Sequence, residues 1–104
     1  APSHMVRKIC SYIQQNYGGD LRIKTLSREF NISGDYLRKL FRSETGKPIS
    51  EYVTSVRIEK ARHLLKNKEY KIYEVAELVG YHSPQYFSQV FYNVTGSYPT
   101  DQNK

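Results

Sequence analysis

The stretch SGDYLRKLFRSETG, residues 33–46, decides how this chain is read, because the chain contains it twice. Fifty positions further on (83 minus 33), residues 83–96 read SPQYFSQVFYNVTG. Ser33 pairs with Ser83, Tyr36 with Tyr86, Leu37 with Phe87, Leu40 with Val90 and Phe41 with Phe91. Thr45 and Gly46 pair with Thr95 and Gly96. In both copies a serine suited to N-capping precedes an apolar stripe at helical spacing, and a glycine ends the segment. The shared positions are apolar or helix-ending, whereas the charges are not shared. One helix is built twice with the same inner face and a different outer face.

Outward from these segments, helical periodicity dominates and no strand pattern appears. A first helix is expected over residues 6–17, with Val6, Ile9, Cys10, Ile13 and Tyr17 on one face and Gly18-Gly19 as its stop. A short helix follows over 23–30 with Ile23, Leu26 and Phe30 inward, and its N-terminus lacks a good cap. Asn31-Ile32 connects it tightly to the helix that Ser33 caps, in which Leu37, Leu40 and Phe41 face inward. Pro48 suits the first position of a fourth helix, which runs to about Lys66 through Tyr52, Val53, Val56, Ala61, Leu64 and Leu65. After a polar break the pattern restarts: a short helix over 72–79 (Val75, Ala76, Val79), then Gly80-Tyr81-His82. Ser83-Pro84 opens a sixth helix with Phe87, Val90 and Phe91 inward, and Pro99 opens a last short turn.

The expected fold is therefore all-α, with about seven helices forming two helix-turn-helix units joined by a long connector helix. Residues 1–5 read as a cloning scar ahead of an excised piece of a longer protein. Residues 6–49 form the first unit, 50–66 the connector and 67–104 the second unit. A connector of about 17 residues is roughly 25 Å long. That length can hold two recognition helices near one DNA turn, about 34 Å, apart.

Sixteen Lys and Arg against ten Asp and Glu give the 104 residues a net charge of +6, which favours a polyanionic partner, chiefly nucleic acid. No apolar run approaches membrane-spanning length and no signal peptide is visible, so a soluble, cytoplasmic chain is expected. The single cysteine, Cys10, excludes an internal disulfide and is expected as a buried core thiol. His4, His63 and His82 have no metal-site spacing, and no paired carboxylates or nucleophile constellation appear. Neither enzyme activity nor a metal or cofactor is expected.

At this point the sequence resembles a family, the DNA-binding domains of AraC/XylS-type bacterial transcription regulators. The resemblance rests on RIEKARHLL, residues 57–65, and on residues 72–96 with Pro99. The latter follow the order I-x-x-[IV]-A, G-[FY], Y-F-S, F, then G and P. It implies seven helices, two helix-turn-helix units, a bridging helix and a regulatory domain elsewhere in the full protein, usually N-terminal. YKIYEVAELVGY, residues 70–81, is similar to the subset that carries a phosphoacceptor receiver domain; a small-molecule-binding regulatory domain is the other usual arrangement. Gln102 and Asn103 stand where members place an aromatic and an arginine, so a shorter or looser C-terminal turn is expected.

The outer face of the third helix presents Asp35, Arg38, Lys39 and Arg42. Carried over from the family, base contacts fall on Asp35, Arg38 and Lys39. Arg38 and Lys39 suit guanine, and Asp35 suits either cytosine N4 or the helix N-terminus, the second being preferred. In the sixth helix the corresponding positions are Pro84, Gln85, Ser88 and Gln89, of which the two glutamines suit adenine. Ser33, Arg42, Ser83 and Tyr92 are expected at phosphates. Arg57 matches a family arginine that serves the fold, and His82 is expected as a loop residue near phosphate. The expected partner is double-stranded DNA, with RNA polymerase added for an activator, and the isolated domain is expected to be monomeric. The competing reading is a helical protein–protein adaptor, and a steep loss of DNA affinity with salt separates the two.

Overall fold

The computed structural model describes residues 3–103. Among them are six α-helices, α1 (His4–Gln15), α2 (Ile23–Phe30), α3 (Gly34–Thr45), α4 (Ile49–Leu65), α5 (Ile72–Leu78) and α6 (Pro84–Thr95). A 3-10 helix over Pro99–Asn103 follows, and no strand occurs among the described residues. No helix is long and apolar enough to cross a membrane. The chain divides into two compact units, the first up to Thr54 and the second from Ser55, so α4 contributes its first turns to one and the rest to the other.

In the first unit, α3 packs against both α1 and α2. Val6, Ile9 and Ile13 of α1, Leu26 of α2, and Leu37 and Phe41 of α3 have no solvent exposure and form the core, which Ile49 closes. Fully burying six such side chains is the main stabilising term, at about 1.5–3 kcal/mol each before the entropy of ordering them is set against it. Phe30 stands edge-on to Tyr12 at 5.7 Å, and Tyr52 tilts against Phe41 at 5.5 Å, extending that core toward its rim. In the second unit α6 packs on α5 and on the 3-10 helix. Val75, Ala76, Val79, Phe87 and Phe91 are buried there together with Val56, Ile58, Ala61 and Leu65 of α4.

The duplication extends to hydrogen bonds. Ser33 Oγ accepts from Tyr36 N–H and Ser83 Oγ from Tyr86 N–H, both at 3.1 Å. At the other end, Thr45 Oγ1 donates to the Phe41 carbonyl at 2.8 Å, and Thr95 Oγ1 donates to the Phe91 carbonyl at 2.8 Å. Each threonine also accepts from the N–H two residues on, at 3.2 Å. Gly46 and Gly96 then turn the chain at φ 79° and 81°, a left-handed conformation that costs glycine nothing.

The preceding helices repeat at a different interval. α2 and α5 begin 49 residues apart (72 minus 23), while α3 and α6 begin 50 apart (84 minus 34). The difference lies in the turn. In the first unit the left-handed residue is Asn31, at φ 54°, and Ile32 alone separates it from Ser33. In the second it is Gly80, at φ 102°, and Tyr81 and His82 separate it from Ser83. Both turns close with the same bond, Ile32 N–H to the Ser27 carbonyl at 3.1 Å and Tyr81 N–H to the Ala76 carbonyl at 2.8 Å.

Several expectations are corrected by side-chain detail. α1 begins at His4 rather than Val6, because Ser3 Oγ accepts from Val6 N–H at 3.3 Å and so caps a turn within residues assigned to a scar. Ser3 N–H also donates to the Glu44 carboxylate. Ala1 and Pro2 of that stretch lie outside the described residues. α1 stops at Gln15, since Asn16 leaves helical geometry and its side chain donates back to the Tyr12 carbonyl at 2.9 Å. Pro48 precedes α4 instead of opening it, and its carbonyl receives Glu51 N–H at 3.1 Å. Val79 lies one residue past α5. Cys10, Leu40, Leu64 and Val90 are half-buried rather than core. Burial raises the Cys10 thiol pKa above its ordinary value, against an opposing hydrogen bond from Tyr52.

α2 has no capping side chain at Arg22, and Asp20 performs the organising role from two residues upstream. Its carboxylate accepts from Arg22 Nη2 at 2.7 Å, Arg22 Nε at 2.9 Å, Thr25 Oγ1 at 2.7 Å and Arg22 N–H at 3.1 Å. The Arg22 side chain, then Thr25 and the Arg22 backbone, hold that carboxyl well below the usual carboxylate range.

Candidate nucleic-acid interface

Burial of Leu37 and Phe41 turns the opposite face of α3 to solvent, and Asp35, Arg38, Lys39 and Arg42 are all exposed on it. Arg38 Nη1 lies 3.7 Å from Asp35 Oδ1, with the Asp35 side chain 89% exposed. At that distance and exposure the pair is weak, so Asp35 screens Arg38 locally without fixing it. Arg38, Lys39 and Arg42 line an open groove of about 510 Å³. Ile23, Pro48, Ile49 and Ser50 line the rest. Its lining thus combines three cations with apolar Ile23, Pro48 and Ile49 and contains no acidic residue.

α6 has the same frame and the opposite chemistry. Phe87 and Phe91 are buried, Gln85, Gln89 and Tyr92 are exposed, and Pro84 and Ser88 are half-buried. No residue of α6 is charged. Its amides are ordered by neighbours: Gln89 Nε2 donates to Asn93 Oδ1 at 3.0 Å, and Ser83 Oγ donates to Gln85 Oε1 at 3.3 Å. Tyr92 stacks on Tyr98 at 4.6 Å, which fixes its ring near the end of the helix. Ser33 and Ser83 are exposed at the N-terminal ends of the two helices, where their hydroxyls already act as caps.

Two exposed side chains escaped the sequence reading. Tyr36 and Tyr86, matched as apolar positions, are 54% and 61% exposed in the first turns of α3 and α6. Their identity in both copies was the available signal, and in the second copy the Tyr86 ring also stands edge-on to Tyr81 at 5.8 Å. Arg57 has the structural place expected of it: its guanidinium lies 5.6 Å from the centre of the Tyr81 ring. His82 is exposed in the turn before α6. Among the described residues no group of three or more His, Cys, Asp or Glu could hold a metal ion.

Two helix-turn-helix units, each with an exposed polar face on its second helix, define a class of DNA-binding domain. Comparison with known proteins gives the family. The family model described as "Helix-turn-helix domain" matches residues 26–104. The Msm operon regulatory protein of Streptococcus mutans is 33% identical over 99 residues, covering 95% of this chain and 36% of that protein. The C-terminal domain of AraT, a response regulator from Geobacillus stearothermophilus, is 34% identical with a TM-score of 0.93, covering 98% of this chain and 85% of that one. The C-terminal domain of the two-component response regulator yesN from Fusobacterium nucleatum is 30% identical with a TM-score of 0.92, covering 98% of this chain and 100% of that one. The chain belongs to the AraC/XylS-type helix-turn-helix family of DNA-binding domains of transcription regulators. It spans about a third of the length of the curated relatives it matches. Membership favours DNA over a protein partner as the target of the exposed faces.

Proposed function

We propose that this chain recognises a specific double-stranded DNA sequence with two reading helices, α3 and α6, and is the effector domain of a larger transcription regulator. The observation that carries this reading is the outer face of α3. It exposes three cations, Arg38, Lys39 and Arg42, on a helix whose inner face is locked by Leu37 and Phe41. Arg38 and Lys39 sit on its N-terminal half, where bidentate or single donation to guanine O6 and N7 is geometrically suited. Arg42, one turn on, serves phosphate, and Asp35 tunes the helix N-terminus and its Arg38 neighbour. On α6, Gln85, Ser88 and Gln89 supply uncharged readout beside Pro84. Ser33, Ser83 and Tyr92 border phosphates.

The full regulator acts in the cytoplasm, with a regulatory domain that supplies the signal; an activator would also contact RNA polymerase. A single chain holds both reading helices, so the isolated domain works as a monomer and without catalysis. Selection of bound sites from random duplexes tests the reading. Two separated blocks of preferred sequence support it, and enrichment of one block alone would reduce α6 to a non-reading element.

A further inference from the structure

The two reading helices differ in more than charge. On α3 the position corresponding to Gln89 is Lys39, and the one corresponding to Asn93 is Ser43. Only α6 therefore carries an amide at the reading position with a second amide one turn behind it. The two are joined: Gln89 Nε2 donates to Asn93 Oδ1 at 3.0 Å, and both side chains are exposed. Residues four apart on a helix face are neighbours, so this bond can form without distorting the helix.

We propose that Asn93 is a specificity-positioning residue, which orients the Gln89 amide so that α6 selects adenine. This rests on the reading that α6 contacts base edges. A primary amide is ambiguous, because rotation by half a turn exchanges its acceptor for its donors. Adenine shows a donor at N6 and an acceptor at N7, so a glutamine must present Oε1 and one Nε2 proton together. Of the two Nε2 protons, one lies on the same side as Oε1 and belongs to that bidentate pair. The other points away, and in this proposal it is the one donated to Asn93 Oδ1. With Asn93 Oδ1 as the acceptor, the bond holds the amide in the rotation adenine needs and consumes neither group that adenine uses. Gln85 is held from its other end, since Ser83 Oγ donates to its Oε1 at 3.3 Å. The two glutamines of α6 are therefore not equivalent, although the sequence alone makes them so.

Asn93 reaches DNA only through Gln89, and its effect belongs to one base position. Holding one flexible side chain in its bound geometry is worth a change of about two- to tenfold in affinity. Affinities are measured for duplexes carrying each of the four base pairs at every position of the selected site, at two salt concentrations. Gln89→Ala should abolish the preference for adenine at one position of the block read by α6. Asn93→Ala should reduce that same preference by about two- to tenfold. The scrambled-duplex affinity, the salt slope and the melting temperature should stay as in the parent chain. Asn93→Asp keeps an acceptor for Nε2 and loses the only donor, so it should retain the adenine preference while weakening all duplexes through its charge. Loss of preference in Gln89→Ala but not in Asn93→Ala overturns the positioning role and leaves the base-reading role of α6 standing. An unchanged preference in Gln89→Ala removes the reading on which the proposal rests. A parent chain that prefers guanine at this position, with adenine preferred only in Asn93→Asp, overturns the stated orientation of the pair.

Discussion

Arg57 lies over Tyr81, with its guanidinium carbon 5.6 Å from the ring centre, and the backbone of Gly80 leaves room for that approach. A Cβ at Gly80 would come within 2.8 Å of the guanidinium, and Gly80 has φ 102°, which side chains rarely adopt. Arg57 is thus half of a clamp on the turn that leads into α6. Gly80→Ala should destabilise the second unit by about 1–3 kcal/mol, chiefly through backbone strain. Arg57→Lys should cost less, about 0.5–1 kcal/mol, because a lysine keeps the charge but not the planar stacking. Thermal denaturation of both variants checks the order, and a more damaging Arg57→Lys would contradict it.

Asp20 organises the entry to α2 through four accepted hydrogen bonds, and its carboxyl pKa is held far below the ordinary value. The folded pKa lies under the unfolded one, so the stabilising contribution is complete above the unfolded carboxylate range. It fades as pH falls below about 4 toward the folded value. Asp20→Ala should therefore melt lower than the parent chain at neutral pH, and the gap should narrow below about pH 4. A gap independent of pH would show that the ionised carboxylate is not the source.

Capping by Ser33 and Ser83 is matched in length, yet the two helices differ at their first residue, Gly34 against Pro84. Proline is pre-organised for the first helical position, whereas glycine is not. Ser33→Ala should cost about 1 kcal/mol of stability. Ser83→Ala should cost less, since Pro84 still directs α6 to begin there. Equal losses in chemical denaturation would remove proline from the explanation.

Much of this fold is legible in the residues, and where it is not the reasons are local. Apolar spacing places α2, α3 and α6, because each buries one stripe, and Ser and Gly punctuation bounds α3 and α6, which carry their own caps. The register of the duplication is harder to see. The fifty-residue echo holds for α3 and α6, but α2 and α5 repeat at 49, because the second turn has one more residue between its left-handed position and its N-cap. Left-handed conformation is shared by Asn31 and Gly80, which are different residue types, so identity alone does not align them. The start of α1 was misplaced because Ser3-His4-Met5 resembles an appended tag, although Ser3 is a competent cap. At the site, every residue assigned to the outer face of α3 is exposed. The amide pair on α6 was invisible, because hydrogen bonds between exposed polar side chains leave no apolar signature.

Arg38 and Arg42 share one helix face but should fail differently. Arg38→Ala should weaken the selected duplex by about 1–3 kcal/mol and relax preference at one position of the block read by α3. Arg42→Ala should weaken all duplexes alike and reduce the salt slope by about one phosphate contact. Titrations against the selected and scrambled duplexes at several salt concentrations separate them, and identical behaviour would merge their roles.

The central claim is that both helix-turn-helix units of this one chain read DNA sequence. Its most direct test is selection of bound sites from random duplex DNA with the parent chain, repeated with Arg38→Ala and with Gln89→Ala. Two preferred blocks are predicted, with the first variant losing definition in one block only and the second variant in the other only. A single block, or both variants degrading the same block, would contradict the account.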